Sequence, residues 1–222
     1  MSNFRPVRVD RFPPIVKNLI IINVLVWIAQ LIYDRTDGML TMWLTNKIAL
    51  YPIGNPDFHP YQIATHMFAH GSYQGSATQY HIYFFHILFN MFALYMFGRI
   101  LENVWGPKRF LFFYLACGVG AAAAHLAMQY LMHDDASAVG ASGAIMGVFV
   151  GFAYLFPNTE LMIIPIPIPI KAKWVCLVYI LIDLFGGVSQ SDGVAHFAHL
   201  GGALTGFLIV LFWNKTNRKT LY

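Results

Sequence analysis

Charged side chains are scarce in this chain. They make up 11% of its 222 residues, where a soluble domain carries about a quarter. So few cannot clothe a water-facing globule, and hydrophobic residues reach 58%. Cysteine is nearly absent. Cys117 and Cys176 both lie inside apolar runs, which leaves neither a disulfide framework nor a thiolate metal site. No internal repeat and no second, soluble domain is visible. No cleavable leader is expected: Met1–Asp10 is polar, Pro13-Pro14 follows, and the next apolar run is long and lacks a small-residue cleavage site.

Long apolar runs take the place of charge, which makes the class an all-α, multi-pass membrane protein. Six spans are expected, at Ile15–Tyr33, His81–Ile100, Arg109–Leu131, Ser142–Phe156, Trp174–Gly187 and Val194–Trp213. A polar stretch with proline and glycine, residues 34–80, forms an outer loop after the first span. Six crossings put both termini on one side of the bilayer. Arg5, Arg8, Arg11, Lys17, Arg99, Lys108, Arg109, Lys171, Lys173, Lys215, Arg218 and Lys219 fall on that side, leaving Arg35 and Lys47 for the other. Basic loops stay in the cytoplasm. Residues 1–14 are then a cytoplasmic N-terminal segment, 15–213 the six-helix domain and 214–222 a cytoplasmic tail. The net charge of +4 follows from this topology and calls for no nucleic acid. Pro165, Pro167 and Pro169 remove alternate backbone donors, so that stretch reads as an extended connector along the headgroups, with Trp174 anchoring the next span.

Spans two, four and six enter from the outside, and their outer ends carry His86 and Asn90, Ser142, and His196 and His199 respectively. Polar side chains in lipid are costly and mark function or pair with one another. Gly143, Gly147 and Gly151 on span four, and Ala198, Gly202 and Gly206 on span six, recur every four residues. Small residues on one face let two helix backbones approach. If those faces meet, Ser142 lies beside His196. A serine needs a base to take its proton, and His196 supplies one. The oxyanion of acyl transfer needs donors, which His86, Asn90 and the Ser142 N–H at a helix start provide. No acid is clearly placed to orient His196, so a dyad is expected. Asp192 reads as a solvated loop carboxylate. His199, His125 and Asp183 read as packing or hydrogen-bonded structural residues, and His66 and His70 as loop braces or metal ligands. Gly186-Gly187 is a candidate hinge for the top of span five.

At these positions the chain resembles the rhomboid family of intramembrane serine proteases. The matching motifs are G140-A-S-G143, H86-I-L-F-N90 and A195-H-F-A-H-L-G-G202, in that family's order on spans two, four and six. The resemblance implies a six-helix rhomboid-like bundle and a Ser142–His196 dyad. It also implies an oxyanion hole of His86, Asn90 and the Ser142 amide, and substrates that are transmembrane proteins cut near the outer leaflet. No metal or other cofactor is implied, and a bacterial plasma (inner) membrane is the expected location. Family members often carry Trp-Arg in the outer loop, where this chain has Tyr61-Gln62, and an aromatic four residues after the serine, where it has Met146. The alternatives are a non-catalytic rhomboid-like protein that binds membrane helices, a metal or haem enzyme using the nine histidines, and a transporter. A transporter wants its polar groups nearer the midplane. Oligomeric state and substrate identity are open.

Overall fold

The computed structural model describes residues 10–163, 166–189 and 195–216. Arg5, Arg8, Pro165, Asp192, Val194, Arg218 and Lys219, on which the sequence expectations partly rest, lie outside the described residues. Helix α1 (Pro14–Tyr33) begins at the diproline, where a missing N–H and a fixed φ suit the first helical position. The Glu102 carboxylate accepts the N–H groups of Ile15 and Val16, at 2.9 and 2.8 Å. An acid is thereby set against the positive end of the helix.

The outer stretch is folded rather than loose. It holds a hairpin of β1 (Arg35–Thr36) and β2 (Met39–Leu40), then α2 (Trp43–Ile48) and α3 (Gln62–Thr65), the latter running into a 3₁₀ turn at His66–Phe68. A second hairpin pairs β3 (Tyr73–Gly75) with β4 (Tyr80–Ile82). His81, expected to open the second span, is therefore a strand residue opposite Gln74. The helix starts instead at Phe85, as α4 (Phe85–Ala93), a π-turn (Leu94–Gly98) and α5 (Arg99–Trp105). Gly106 reverses the chain with φ of 81°, a conformation that only glycine adopts cheaply. Pro107 then opens α6 (Pro107–Met132).

Helix α7 (Ser142–Leu155) follows, then β5 (Glu160–Ile163) and β6 (Ile166–Lys171), α8 (Ala172–Ser189) and α9 (His196–Thr216). The proline-rich connector is an antiparallel hairpin, with Glu160 opposite Lys171 and Leu161 opposite Ile170. Its prolines tolerate this because an isolated hairpin is all edge. Trp174 is exposed just beyond it, with the Lys173 ammonium 5.4 Å from its ring.

Four helical stretches are long and apolar enough to cross a membrane: Pro14–Tyr33, Phe85–Trp105, Pro107–Met132 and His196–Lys215. Helix α7 has 14 residues, a length of about 21 Å against a hydrocarbon core of about 30 Å. It survives at that length because it is interior: every residue from Gly143 to Ala153 is buried. Around it α9 packs closely on both α6 and α7.

Backbone meets backbone there. A Cβ on Gly202 would overlap the Gly143 carbonyl oxygen, and one on Gly206 would stand 2.7 Å from the Gly147 oxygen. In the α7–α9 seam Gly143 sits between Ala198 and Gly202, a Cβ on it standing 3.2 Å from the Ala198 carbonyl oxygen, and Gly147 sits between Gly202 and Gly206, so the two expected small-residue faces do meet. Gly151 leaves the seam and faces Phe113, Trp105 and Leu101. A four-residue step overshoots one turn by about 40°, so the third glycine of the series has rotated away.

These contacts separate the glycines by tolerance. Gly202→Ala sets a methyl against fixed backbone and is expected to destabilise the fold by about 1–3 kcal/mol. Gly151→Ala meets ring and methyl tips at 3.1 Å or more, which yield, so its loss is smaller. Thermal unfolding of the two purified variants checks the order.

Candidate active site

Ser142 is the first residue of α7, half-buried, with its N–H outside the helical ladder. Its Oγ lies 2.8 Å from Nε2 of His199. The other ring nitrogen of His199, Nδ1, lies 2.9 Å from Oδ1 of Asp183 on α8. With Nδ1–H donating to the carboxylate, Nε2 keeps its lone pair and accepts the hydrogen bond of the Ser142 hydroxyl.

His196 is elsewhere. Its Nδ1 donates to the same Asp183 Oδ1 at 2.8 Å, and its ring lies against Gly186, where a Cβ would overlap it. The expected Ser142–His196 contact is therefore corrected to Ser142–His199. The small-residue faces meet as expected, but their spacing does not choose between two histidines one turn apart: Ala198 and Gly202 flank Gly143, and His199, next to Ala198, is the one that reaches Ser142. Asp183 and His199, read from sequence as structural, are two of the three groups in line. An intramembrane carboxylate must find a partner, and that signal pointed to Asp183. The separation of Asp183 from either histidine could not say which one it would meet. Gly186 and Gly187 are packing glycines against the rings of His196 and Phe197, which is the role the structure gives the expected hinge.

His86 stands across from the serine. The Gly71 N–H donates to its Nδ1 at 3.1 Å, so Nε2 carries the proton. That nitrogen faces Gly140, whose φ is +130° and whose N–H donates to the His66 carbonyl at 2.9 Å. A Cβ on Gly140 would stand 3.0 Å from His86 Nε2 and 3.5 Å from Ser142 Oγ. Glycine therefore keeps open the gap between a donor and the hydroxyl. The side-chain amide of Asn90 donates to the His86 carbonyl at 2.8 Å. Among the described residues no contact joins it to Ser142. Met146 is buried one turn below the serine.

The outer loop holds His86 in place. Asp34 accepts from Leu44 N, Thr45 N, Thr45 Oγ1 and Ser72 Oγ at 2.8, 2.9, 2.5 and 2.8 Å. Gln30 bonds both backbone groups of His70, at 2.8 Å to its oxygen and 3.0 Å to its nitrogen. The His70 ring is fully buried and meets His86 edge to face at 5.2 Å. His66 donates from Nδ1 to the Gln62 carbonyl at 2.9 Å. Both histidines brace the loop. His125 is a buried residue of α6, but its Nε2 has no hydrogen-bond partner among the described residues, so it is not the satisfied residue expected.

A half-buried serine, an imidazole and a carboxylate in sequence, inside a bundle of apolar helices, define a membrane protein with the constellation of a serine hydrolase. The Rhomboid domain matches residues 57–215, and the chain belongs to the rhomboid family. It is 30% identical over 147 residues to Rhomboid protein 1, mitochondrial, of Saccharomyces cerevisiae, covering 65% of this chain and 42% of that protein. It is 31% identical over 149 residues to Presenilin-associated rhomboid-like protein, mitochondrial, of Homo sapiens, covering 65% and 39%. To Rhomboid protease AarA of Providencia stuartii it is 26% identical over 212 residues, covering 86% and 69%. The chain spans about two fifths of the length of the two mitochondrial relatives. Relatives named for mitochondria stand beside one from a bacterium, so the expectation of a bacterial inner membrane finds no support in them. The location established is a membrane.

Burial sets the charge state of one brace. Loss of water pushes the His70 imidazole down from 6.5 to about 3, helped by neighbouring His86. The unfolded chain binds this proton more readily, so stability from neutral His70 is complete above pH 6.5 and is lost as pH falls towards 3. The melting midpoint is expected to drop from pH 7 to pH 4, and less steeply in His70→Phe. Parallel slopes for the two proteins would remove His70 as the cause.

Proposed function

We propose that this chain is an intramembrane serine endopeptidase that cleaves transmembrane segments of membrane proteins near the outer leaflet. The bundle crosses the bilayer six times, α7 and α8 completing the set, with both termini in the cytoplasm. The observation that carries the reading is the 2.8 Å contact of Ser142 Oγ with His199 Nε2, backed by Asp183 at 2.9 Å.

The chemistry follows from the atoms. As Ser142 Oγ attacks the scissile carbonyl, its proton passes to His199 Nε2. The imidazolium so formed is stabilised by Asp183, which also holds the ring in the accepting tautomer. The developing oxyanion sits in the gap kept open by Gly140, within reach of His86 Nε2–H and the Ser142 N–H. Asn90 supports this pocket by bonding the His86 carbonyl. His199 then protonates the leaving amine, breaking the C–N bond, and a water activated by the same imidazole hydrolyses the acyl-enzyme. Substrates with helix-breaking residues are favoured, because a peptide bond must leave its helix before it can be attacked.

Labelling with a fluorophosphonate tests this directly. Wild type is expected to label and Ser142→Ala not at all. His199→Ala slows labelling by about 10²–10⁴-fold, whereas His196→Gln stays well above the Ser142→Ala background. Asp183→Asn slows cleavage of a membrane substrate by about 10²-fold or more, because the amide favours the wrong imidazole tautomer. Labelling that persists in Ser142→Ala removes the mechanism. A chain that binds membrane helices but never labels is a non-catalytic rhomboid-like binder. A second test uses Gly140→Ala, whose methyl enters the oxyanion gap. Its kcat is expected to fall with little change in KM.

A further inference from the structure

The proposed reaction needs one histidine on Asp183, and the structure supplies two. His196 Nδ1 and His199 Nδ1 both reach Oδ1, at 2.8 and 2.9 Å. They lie three residues apart on one helix, on neighbouring faces. The ligating atoms of Asp183, His196 and His199 all lie within 4.8 Å of one another. Asp183 is 4% exposed, and its second oxygen, Oδ2, has no hydrogen-bond partner among the described residues. A buried carboxylate oxygen without a partner is expensive.

We propose that Asp183, His196 and His199 form a binding site for a divalent transition metal of the zinc class, and that filling it switches the protease off. Two imidazoles and a carboxylate are the donor set such ions take, with a water as fourth ligand. Ligand atoms on a tetrahedral Zn²⁺ stand roughly 3.3 Å apart, given bonds of about 2.0–2.1 Å. The site therefore forms when the two Nδ1···Oδ1 pairs open by about half an ångström. An entry path is present: a cavity of about 200 Å³ reaches His196 and Gly186, lined also by His125, Gln129 and Asp134.

Inhibition follows from the tautomer. A metal on His199 needs the Nδ1 lone pair, so the single proton of the neutral ring leaves Nδ1, where it was donated to Asp183, and is carried instead on Nε2, the atom facing Ser142 Oγ. An Nε2–H cannot accept the serine proton, so the nucleophile stays unactivated although no atom of the oxyanion pocket has moved. The inhibitory half rests on the protease reading; the site itself does not.

Cobalt binding to the full-length Ser142→Ala protein separates the two. Titration with Co²⁺ is expected to give the visible d–d bands of a four-coordinate ion at one cobalt per chain, displaced by Zn²⁺. His196→Phe in that background should weaken binding at least tenfold, and His196→Cys should retain it, with melting midpoints confirming that both variants are folded. In the protein with Ser142 intact, Zn²⁺ is expected to suppress substrate cleavage at least tenfold. A chelator restores it, and His196→Phe loses the zinc effect relative to its own metal-free rate. Cobalt that does not bind, or binds equally well to His196→Phe, overturns the proposal, as does zinc that binds without slowing cleavage. A wild type that cleaves nothing, metal-free, defeats the protease reading while the cobalt titration still reports on the site.

Discussion

The carbonyl of Gly143 on α7 lies where a side chain on Gly202 of α9 would be, and the same closeness recurs between Gly147 and Gly206. Helices in lipid gain little from hiding apolar surface from each other, so close packing of small residues carries the association. This seam does more than hold two helices together. It fixes their vertical register, and register decides which histidine of α9 faces the first residue of α7. A hydrogen bond of 2.8 Å tolerates no slip of a helical turn, which is about 5.4 Å. Helix α7 can stay short because its surroundings are protein: every residue from Gly143 to Ala153 is buried.

A second constraint acts from above. Residues 34–84 fold against the helix bundle, and their buried polar groups need partners. The Asp34 carboxylate and the Gln30 amide, at the end of α1, supply them for the Leu44 and Thr45 N–H groups, the Thr45 and Ser72 hydroxyls and both backbone groups of His70. The consequence reaches the site through two short links, Gly71 N–H to His86 Nδ1 and Gly140 N–H to the His66 carbonyl. One sets the tautomer of His86, and the other sets the conformation of the glycine beside the serine. An outer loop that looks like a connector is thus the jig for half of the candidate oxyanion pocket.

Much of this was legible in residues alone. Apolar runs located the helices to within a few positions, and Ser142 opens α7 as expected. His86 faces it because polar groups at one depth had to converge. What failed was arithmetic finer than a turn. Four-residue glycine spacing says that two helices touch, and Gly143 does lie against Ala198 and Gly202, but it does not say which histidine stands level with the serine. His196 and His199 stand one turn apart on the same helix, and the spacing alone did not separate them. Asp183 was visible as an acid in an apolar helix, yet its partners lie across a segment whose path sequence does not determine. The hairpin at Glu160–Lys171 was hidden for another reason: its prolines argue against helix, which was read correctly, but say nothing about a pairing partner.

On the proposed protease reading, the placement of the acid bears on how a substrate would enter. Asp183 belongs to α8, whereas both imidazoles that it binds belong to α9 and the hydroxyl belongs to α7. In a medium of low dielectric a carboxylate separated from its donors is strongly destabilised. Moving the outer half of α8 away from α9 would strip Asp183 of both Nδ1–H donors at once. Gly186 and Gly187 add to the hold, since each lies flush against an aromatic or imidazole ring of α9. The outer end of α8 is therefore tied to the reaction centre rather than free to swing. The side towards α4 is different: Phe85, Leu88 and Phe89 are exposed there, and α4 reaches the candidate site through His86 while Ile87 and Met91 join the core. On the proposed protease reading, a helical substrate that approaches along α4 leaves the Asp183–His199 pair intact, whereas one that displaces α8 disables the proposed base.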